Sequence, residues 1–333
     1  MEGTTTRTNQ KKMLATLVGC NYGGTRYELR GCINDVLAMR DTLVARFAFA
    51  PTDITVLTDD GPSSGGVVLP TGANIKRALA DMVSRAAPGD VLFFHYSGHG
   101  TLVPRRHGHG HGVDEAIVPC DFNLITDVDF REVVDRVPQG ATFTMISDSC
   151  HSGGLIDQEK EQIGPSVADD INSRSVRGRF LPYGAVVGHL SATSGVDASH
   201  HVAEHLLALF GDDASAKFHG HHQQEEQRFH DDGGVLLSGC QTDETSADVP
   251  AGEDGNGKAC GAFSSAVQAV LAAAQPEAAV ALSNREVVRQ ARKVLAEKGF
   301  QQHPCLYCSD ANADAPFLCQ PLAPGEFRTI TAL

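Results

Sequence analysis

At 333 residues, with 41% hydrophobic and 20% charged residues, the chain has ordinary globular usage, which excludes disordered, collagen-like and disulfide-stapled classes. Its 27 Lys and Arg against 41 Asp and Glu give a net charge of −14, which disfavours nucleic acid and anionic membrane surfaces and favours a cationic partner. Fifteen histidines would offset that charge if all were protonated, so the electrostatics change greatly in mild acid.

Met1 to Lys12 carries no apolar signal region, and no run of about 18 apolar residues occurs anywhere, so the expected location is cytoplasmic. From there, short β-rich runs alternate with helical patterns, as in βαβ units on a parallel sheet. Strands are predicted at Met13 to Val18, Asp53 to Leu57, Asp90 to Tyr96 and Ala141 to Ser147. Ile33, Val36, Leu37, Leu43, Val44 and Phe47 share one helical face, and Ile75, Leu79, Met82, Val83 and Ala86 another. A third helix is predicted from Asp127 to Val137, stopped by Pro138-Gln139-Gly140.

Between Gly164 and Asp232 the periodicity fades, with only Ala203 to Phe210 clearly helical, and the stretch reads as an inserted linker. It holds five Lys or Arg, ten Asp or Glu and eight His. Order resumes with a strand at Val235 to Ser238, helices near Ala262 to Ala273 and Asn284 to Lys298, and a last strand around Cys305 to Cys308.

Two predicted strands run directly into clusters of reactive residues: Tyr96-Ser97-Gly98-His99-Gly100 and Ser147-Asp148-Ser149-Cys150-His151-Ser152-Gly153-Gly154. Sites in open α/β sheets form beyond such carboxyl ends. A His between two glycines lets main chain approach closely, and a Cys followed by small residues on a tight turn suits a nucleophile. Nine scattered cysteines, an odd number, argue against a disulfide framework and leave at least one free thiol. Other nucleophile motifs fail. Ile156 stands where a cysteine phosphatase needs Arg, and neither cluster supplies Gly-x-Ser-x-Gly or a phosphate-binding Gly-x-x-x-x-Gly-Lys loop.

His99 precedes Cys150 by 51 residues, and the pair resembles the caspase clan of peptidases and, within it, the metacaspases. The likeness continues through Val18-Gly19-Cys20-Asn21-Tyr22, Leu29-Arg30-Gly31-Cys32-Ile33-Asn34-Asp35-Val36, Asp114-Glu115-Ala116-Ile117-Val118-Pro119-Cys120-Asp121, Gly154-Leu155-Ile156-Asp157 and Ser238-Gly239-Cys240-Gln241. The lack of a prodomain and the long linker are similar to plant type II metacaspases. Asn123-Leu124-Ile125-Thr126-Asp127-Val128-Asp129-Phe130 and the linker length look most like their metacaspase-9 subgroup.

That resemblance implies a caspase-like three-layer α/β/α sandwich with a mostly parallel sheet and a long inserted linker. Residues 12–163 would form a large catalytic region, 164–232 the linker, and 233–333 a small region completing the same domain. It implies a cysteine endopeptidase of stress or cell-death proteolysis that cuts after Arg or Lys. Cys150 would be its nucleophile, His99 its general base and acid, and the Gly100 and Cys150 amides its oxyanion donors. Cys32, Asp35, Ser97 and Asp148 would wall the S1 pocket, two carboxylates suiting a guanidinium or ammonium. Asp148, two residues from Cys150, would weaken the thiolate unless a cation neutralised it, so substrate binding is expected to help activate the thiol.

Self-cleavage is expected in Ser173-Arg174-Ser175-Val176-Arg177-Gly178-Arg179-Phe180-Leu181-Pro182, with Arg179 before Phe180 the favoured bond in an exposed, mobile segment. The expected partners are protein or peptide substrates with Arg or Lys at P1 and a proteinaceous inhibitor, with no nucleic acid or membrane, and the chain is expected to be a monomer. Asp114, Asp129 and Asp157 resemble acidic calcium positions of relatives, but Val128 stands where another Asp is usual, so no cofactor is required and a calcium site is doubtful. An arginine-bearing linker lying across the acidic cleft at neutral pH would be released in mild acid by repulsion among imidazolium groups.

The Arg105-Arg106-His107-Gly108-His109-Gly110-His111 loop reads as solvated. Cys305 and Cys308 read as core cysteines, since a lone Cys-x-x-Cys near His303 lacks the second pair a zinc site needs. The alternative function is a catalytically silent caspase-fold scaffold or metal-binding protein.

Overall fold

The structure is a computed structural model and describes residues 11–61, 68–104, 113–150, 152–156, 160–164, 177–196, 202–219, 234–241, 244–252, 257–274 and 282–318. The Arg105 to His111 loop, His151, Asp157 and much of the predicted linker therefore lie outside the described residues.

The elements in chain order begin with β1 (Met13–Gly19), α1 (Cys32–Phe47), β2 (Ile54–Thr58), α2 (Gly72–Ser84), β3 (Val91–Ser97), β4 (Gly100–Pro104), β5 (Val113–Ile117), β6 (Ile125–Thr126), α3 (Asp127–Asp135) and β7 (Thr142–Asp148). They continue with β8 (Glu161–Ile163), β9 (Arg177–Gly178), α4 (Tyr183–Ser194), α5 (Val202–Phe210), β10 (Val235–Ser238), β11 (Ala247–Val249), β12 (Cys260–Gly261), α6 (Ala262–Ala273), α7 (Asn284–Glu297), β13 (Cys305–Tyr307) and α8 (Asp310–Asp314).

Seven strands form the main sheet in the order β2-β1-β3-β7-β10-β13-β8. The first five are mutually parallel, β13 runs antiparallel to β10, and β8 runs antiparallel to β13. Every residue of β3 is buried, as expected for a central parallel strand covered on both faces. On one face Val36, Met39 and Leu43 of α1 pack in a common core with Phe263 and Val267 of α6 and Val287 and Ala291 of α7. On the other, Ile75 and Leu79 of α2, Phe130 and Val134 of α3, and Val186 and Leu190 of α4 form a second core. The result is the mostly parallel, caspase-like α/β/α arrangement expected from the sequence.

Local signals explain where helices begin. The hydroxyls of Thr71 and Ser283 accept the Asn74 and Glu286 amides and cap α2 and α7, while Thr126 and Asp129 form a capping box on α3. Asp129, one of the calcium look-alike positions, thus has a structural task. Cys305 and Cys308 are both buried in the core, and His303 pairs with Glu244. No described helix is long and apolar enough to cross a membrane.

The departures from expectation are local. A three-stranded antiparallel sheet, β4-β5-β6, starts directly at Gly100, and a second, β12-β11-β9, joins the inserted segment to the C-terminal third. Helix α4 occupies a stretch whose sequence shows no clear helical periodicity.

β10 pairs with β7 residue by residue from Val235 opposite Thr144 to Ser238 opposite Ser147, which puts the C-terminal third into the sheet of the N-terminal half. Leu237 is fully buried on β10. We therefore expect Leu237→Ala to destabilise the whole chain by about 2–5 kcal/mol, in one urea transition reported alike by near- and far-UV circular dichroism. Two separated transitions would contradict a shared core.

Candidate active site

β1, β3 and β7 end side by side, so the residues that follow them meet in one crevice. Ser97 is the last residue of β3 and lies opposite both Gly19 and Asp148 in register. α1 begins across the crevice and places Cys32 and Asp35 in its first turn.

In the crevice lies Arg179. Its side chain is fully buried, which corrects the expectation that this segment is exposed and mobile. The β9 segment just before it pairs antiparallel with β11, and the Arg179 amide donates to the Ser246 carbonyl at 2.9 Å. Nη1 of its guanidinium donates to Ser97 Oγ at 2.7 Å and to the Asp148 carbonyl at 3.0 Å, with Asp148 Oδ2 at 3.4 Å. Nη2 donates to Asp35 Oδ2 at 3.1 Å and Asp248 Oδ1 at 3.0 Å. The guanidinium thus touches three buried carboxylates where the sequence suggested two.

Each carboxylate is held by other donors. Asp35 accepts the Gly261 amide at 2.9 Å and the Ser97 hydroxyl at 2.7 Å. Asp148 accepts the Ser246 hydroxyl at 2.5 Å and the Ser264 amide at 2.7 Å. Asp248 accepts the Arg30 and Gly31 amides at 3.0 and 3.1 Å. Burial pushes the Asp35 carboxyl up to about 6, against the pull of Arg179. Arg179, although burial opposes its charge, is held well above its usual value by Cys32 and the three carboxylates. Cys32 is itself pushed up by burial, with Arg179 opposing.

The main chain at Arg179 is positioned as closely as its side chain. The Gly100 amide donates to the Arg179 carbonyl at 3.0 Å, and the Leu181 amide returns a bond to the Gly100 carbonyl at 3.0 Å. Of the two expected oxyanion donors, Gly100 makes this contact and Cys150 does not. A Cβ on Gly100 would lie 1.9 Å from the Cys150 carbonyl oxygen, so only glycine fits there. Phe180 bridges to Gly100.

Cys150 is fully buried, and its Sγ accepts the Ser246 amide at 3.0 Å. Nε2 of His99 lies 2.8 Å from the Tyr27 carbonyl and must donate to it, because a carbonyl only accepts. Nδ1 is then the unprotonated nitrogen of the neutral ring. It is buried without a hydrogen-bond partner. Burial lowers the His99 pKa, the Tyr27 and Arg179 carbonyls opposing. The arrangement offers a thiol, a base with a free lone pair, a carbonyl under an amide donor, and a basic side chain in an acidic recess.

The sequence reading missed Asp248, which sits in the three-residue β11. Its sequence signal is limited to a carboxylate between two apolar residues, Ala247 and Val249. Asp114, whose position resembles a calcium site of relatives, pairs instead with Lys217 of the inserted segment. Asp129 accepts the Ala216 amide at 3.0 Å and the Thr126 amide at 2.8 Å.

Comparison with known proteins gives a consistent result. Residues 11–159 match the family model for the metacaspase, peptidase C14 domain. The chain is 56% identical over 329 residues to Metacaspase-9 of Arabidopsis thaliana, covering 93% of this chain and 98% of that protein. Metacaspase-6 of the same plant is 40% identical over 373 residues, covering 92% and 99%. A crystal structure of a Geobacter sulfurreducens protein superposes with a TM-score of 0.59 at 20% identity, over 93% of this chain and 99% of that one, which is a likeness of fold.

If the third carboxylate holds the segment, Asp248→Asn in the intact chain should speed amide exchange at Arg179 and Leu181 about tenfold or more, since weakening a desolvated charge pair usually costs at least 2 kcal/mol. Hydrogen exchange read by mass spectrometry checks this, and unchanged protection would mean that Asp35 and Asp148 suffice.

Proposed function

The chain belongs to the metacaspase family of cysteine-type peptidases, and from that premise we propose that it is an endopeptidase cutting after Arg or Lys, with Cys150 as nucleophile and His99 as general base and acid. The observation that carries this reading is the pose of Arg179. Its guanidinium fills the acidic recess while its carbonyl meets the Gly100 amide, as a P1 residue about to be cleaved would. The first substrate is then the chain itself, at the bond from Arg179 to Phe180.

The geometry suggests how each residue acts. His99 Nδ1 takes the Cys150 proton while the Tyr27 carbonyl steadies Nε2–H. The thiolate adds to the P1 carbonyl carbon, and the oxygen gains negative charge under the Gly100 amide, with the Cys150 amide as the second proposed donor. His99 then gives its proton to the departing amine, leaving a thioester that water hydrolyses as His99 acts again as base. Cys32, Asp35, Ser97 and Asp148, joined by Asp248, hold the P1 side chain. Arg is favoured over Lys because its planar fork can engage several carboxylates at once. In the uncut chain the same contacts block the crevice, so the enzyme begins as a zymogen.

We propose that Asp114 and Asp129 serve structure here and not calcium. The ion needs six to eight oxygens, whereas Asp114 already carries the Lys217 ammonium and Asp129 two amides. Asp157, the third look-alike position, lies outside the described residues. We propose turnover without added calcium. The lowered pKa of His99 keeps its base form populated below its ordinary value of about 6.5, so the acid limb of the rate falls below that pH. Repulsion among linker histidines in acid adds to this and puts the optimum near pH 6.

Two measurements test the proposal. Cys150→Ala should abolish hydrolysis of an Arg peptide and leave the chain uncut, and in the wild type N-terminal sequencing of the small fragment should begin at Phe180. Retained turnover, or a preference for Asp at P1, would sink it. Initial rates from pH 5 to 8, with chelator or millimolar calcium, should peak near pH 6 and ignore calcium; strict calcium dependence or an optimum above pH 7.5 would refute the regulatory part.

A further inference from the structure

Two buried tyrosines next to His99 have no part in the chemistry just described. Tyr96 is the penultimate residue of β3, and Tyr22 lies just beyond β1 in a left-handed conformation with φ 53°. Asp59 fixes the turn at Tyr22 by accepting the Asn21 and Tyr22 amides at 2.8 and 2.6 Å. The two phenol oxygens are 3.0 Å apart.

Both address the main chain of His99. The His99 amide donates to Tyr22 Oη at 2.9 Å, and Tyr96 Oη donates toward the His99 carbonyl at 2.8 Å. The Val118 carbonyl lies 2.5 Å from Tyr22 Oη and 2.9 Å from Tyr96 Oη, while the Val118 amide donates to the His99 carbonyl at 3.0 Å. The Tyr22 ring also tilts against the imidazole, with centroids 4.8 Å apart. A Cβ on Gly98 would lie 2.4 Å from Tyr96 Oη and 2.9 Å from Tyr22 Oη, so the glycine before His99 makes room for the hydroxyls. Burial pushes both phenols well above their ordinary value, so they keep their protons throughout the working range.

The His99 carbonyl and the Gly100 amide belong to one planar peptide unit and point in opposite directions. Whatever holds the carbonyl aims the N–H. Here that N–H meets the Arg179 carbonyl. We propose that Tyr96, seconded by Tyr22, is a positioning residue that locks the His99–Gly100 peptide plane and so aims the Gly100 amide at the oxyanion. This rests on the reaction proposed above. The lock serves the transition state more than the ground state, because its value grows with the charge on the oxygen.

The test uses the processed full-length enzyme, an Arg peptide amide substrate, and two ligands: an Arg peptide aldehyde, whose adduct with a thiol carries a tetrahedral oxygen, and the corresponding peptide acid. Losing an oxyanion donor outright costs about a hundred- to a thousandfold in rate, so misaiming one in Tyr96→Phe should lower kcat about ten- to a hundredfold. Aldehyde affinity should fall by a similar factor, while KM, peptide-acid affinity and the rate of Cys150 alkylation by iodoacetamide change less than twofold. Tyr22→Phe should show the same pattern more weakly, and it decides the matter if Tyr96→Phe does not fold. Aldehyde affinity and kcat unchanged, or lost in step with peptide-acid affinity, would reduce the tyrosines to packing. Failure of the underlying reaction would be visible separately, as a wild-type enzyme that forms no aldehyde adduct at Cys150.

Discussion

Everything around the crevice depends on placing three carboxylates and one guanidinium in a space closed to bulk solvent. Charges taken out of solvent cost several kcal/mol each unless paired with good geometry, and removing one partner leaves the other stranded. Asp35 comes from α1, Asp148 from the end of β7 and Asp248 from β11, so the recess is assembled from three distant parts of the chain. Arg179 satisfies all three, and each carboxylate keeps a second set of donors from neighbouring main chain or hydroxyls. Without a cation, three negative groups would face one another across a few ångströms. On the proposed reading, such a recess takes a basic side chain from the chain itself or from a substrate.

The sheet makes such a meeting point inexpensive in entropy. β1, β3 and β7 run parallel and end together, so their following loops are brought close by ladder hydrogen bonds rather than by long-range side-chain contacts. β10 extends the same sheet, and the chain after it reaches Ser246, which touches Cys150, Asp148 and the Arg179 amide. One serine thus links Cys150, the recess and the bound segment, through its amide, its hydroxyl and its carbonyl respectively.

Much of this was legible in the sequence because the strong signals are local. Buried strands are written as apolar runs, and His99 and Cys150 stand out where β3 and β7 give way to small and polar residues. The remainder was hidden for physical reasons. β9 has two residues and β11 three, too short for any periodicity. An arginine reads as a surface residue until its partners are known, and those of Arg179 lie 144, 69 and 31 positions away. The sense of Asp114 was likewise hidden, since Lys217 comes from a stretch without pattern. Helix α4 escaped because its apolar and small residues are spread around its circumference, leaving no face to recognise.

The inserted segment also grips the loop that orients the histidine. Tyr27 accepts from His99 Nε2 through its carbonyl, and its own hydroxyl donates to the Ala185 carbonyl on α4 at 3.1 Å. His189 of α4 stacks on Phe122 at 3.9 Å and meets the Tyr27 ring at 5.8 Å, while Arg177 donates to the Glu28 carbonyl from the other side. The docked segment therefore supports the His99 geometry at the same time as it fills the crevice. On the proposed reading, the uncut chain is held back by occupancy and not by a distorted site: base, amide donor and acidic recess are already assembled around Arg179. What has to change for substrates to enter is the departure of the segment, and the histidine loop must then keep its shape without α4. The supports that remain include Asp59 beneath the turn, the two tyrosine hydroxyls and the Val118 amide, all supplied by the N-terminal half of the chain.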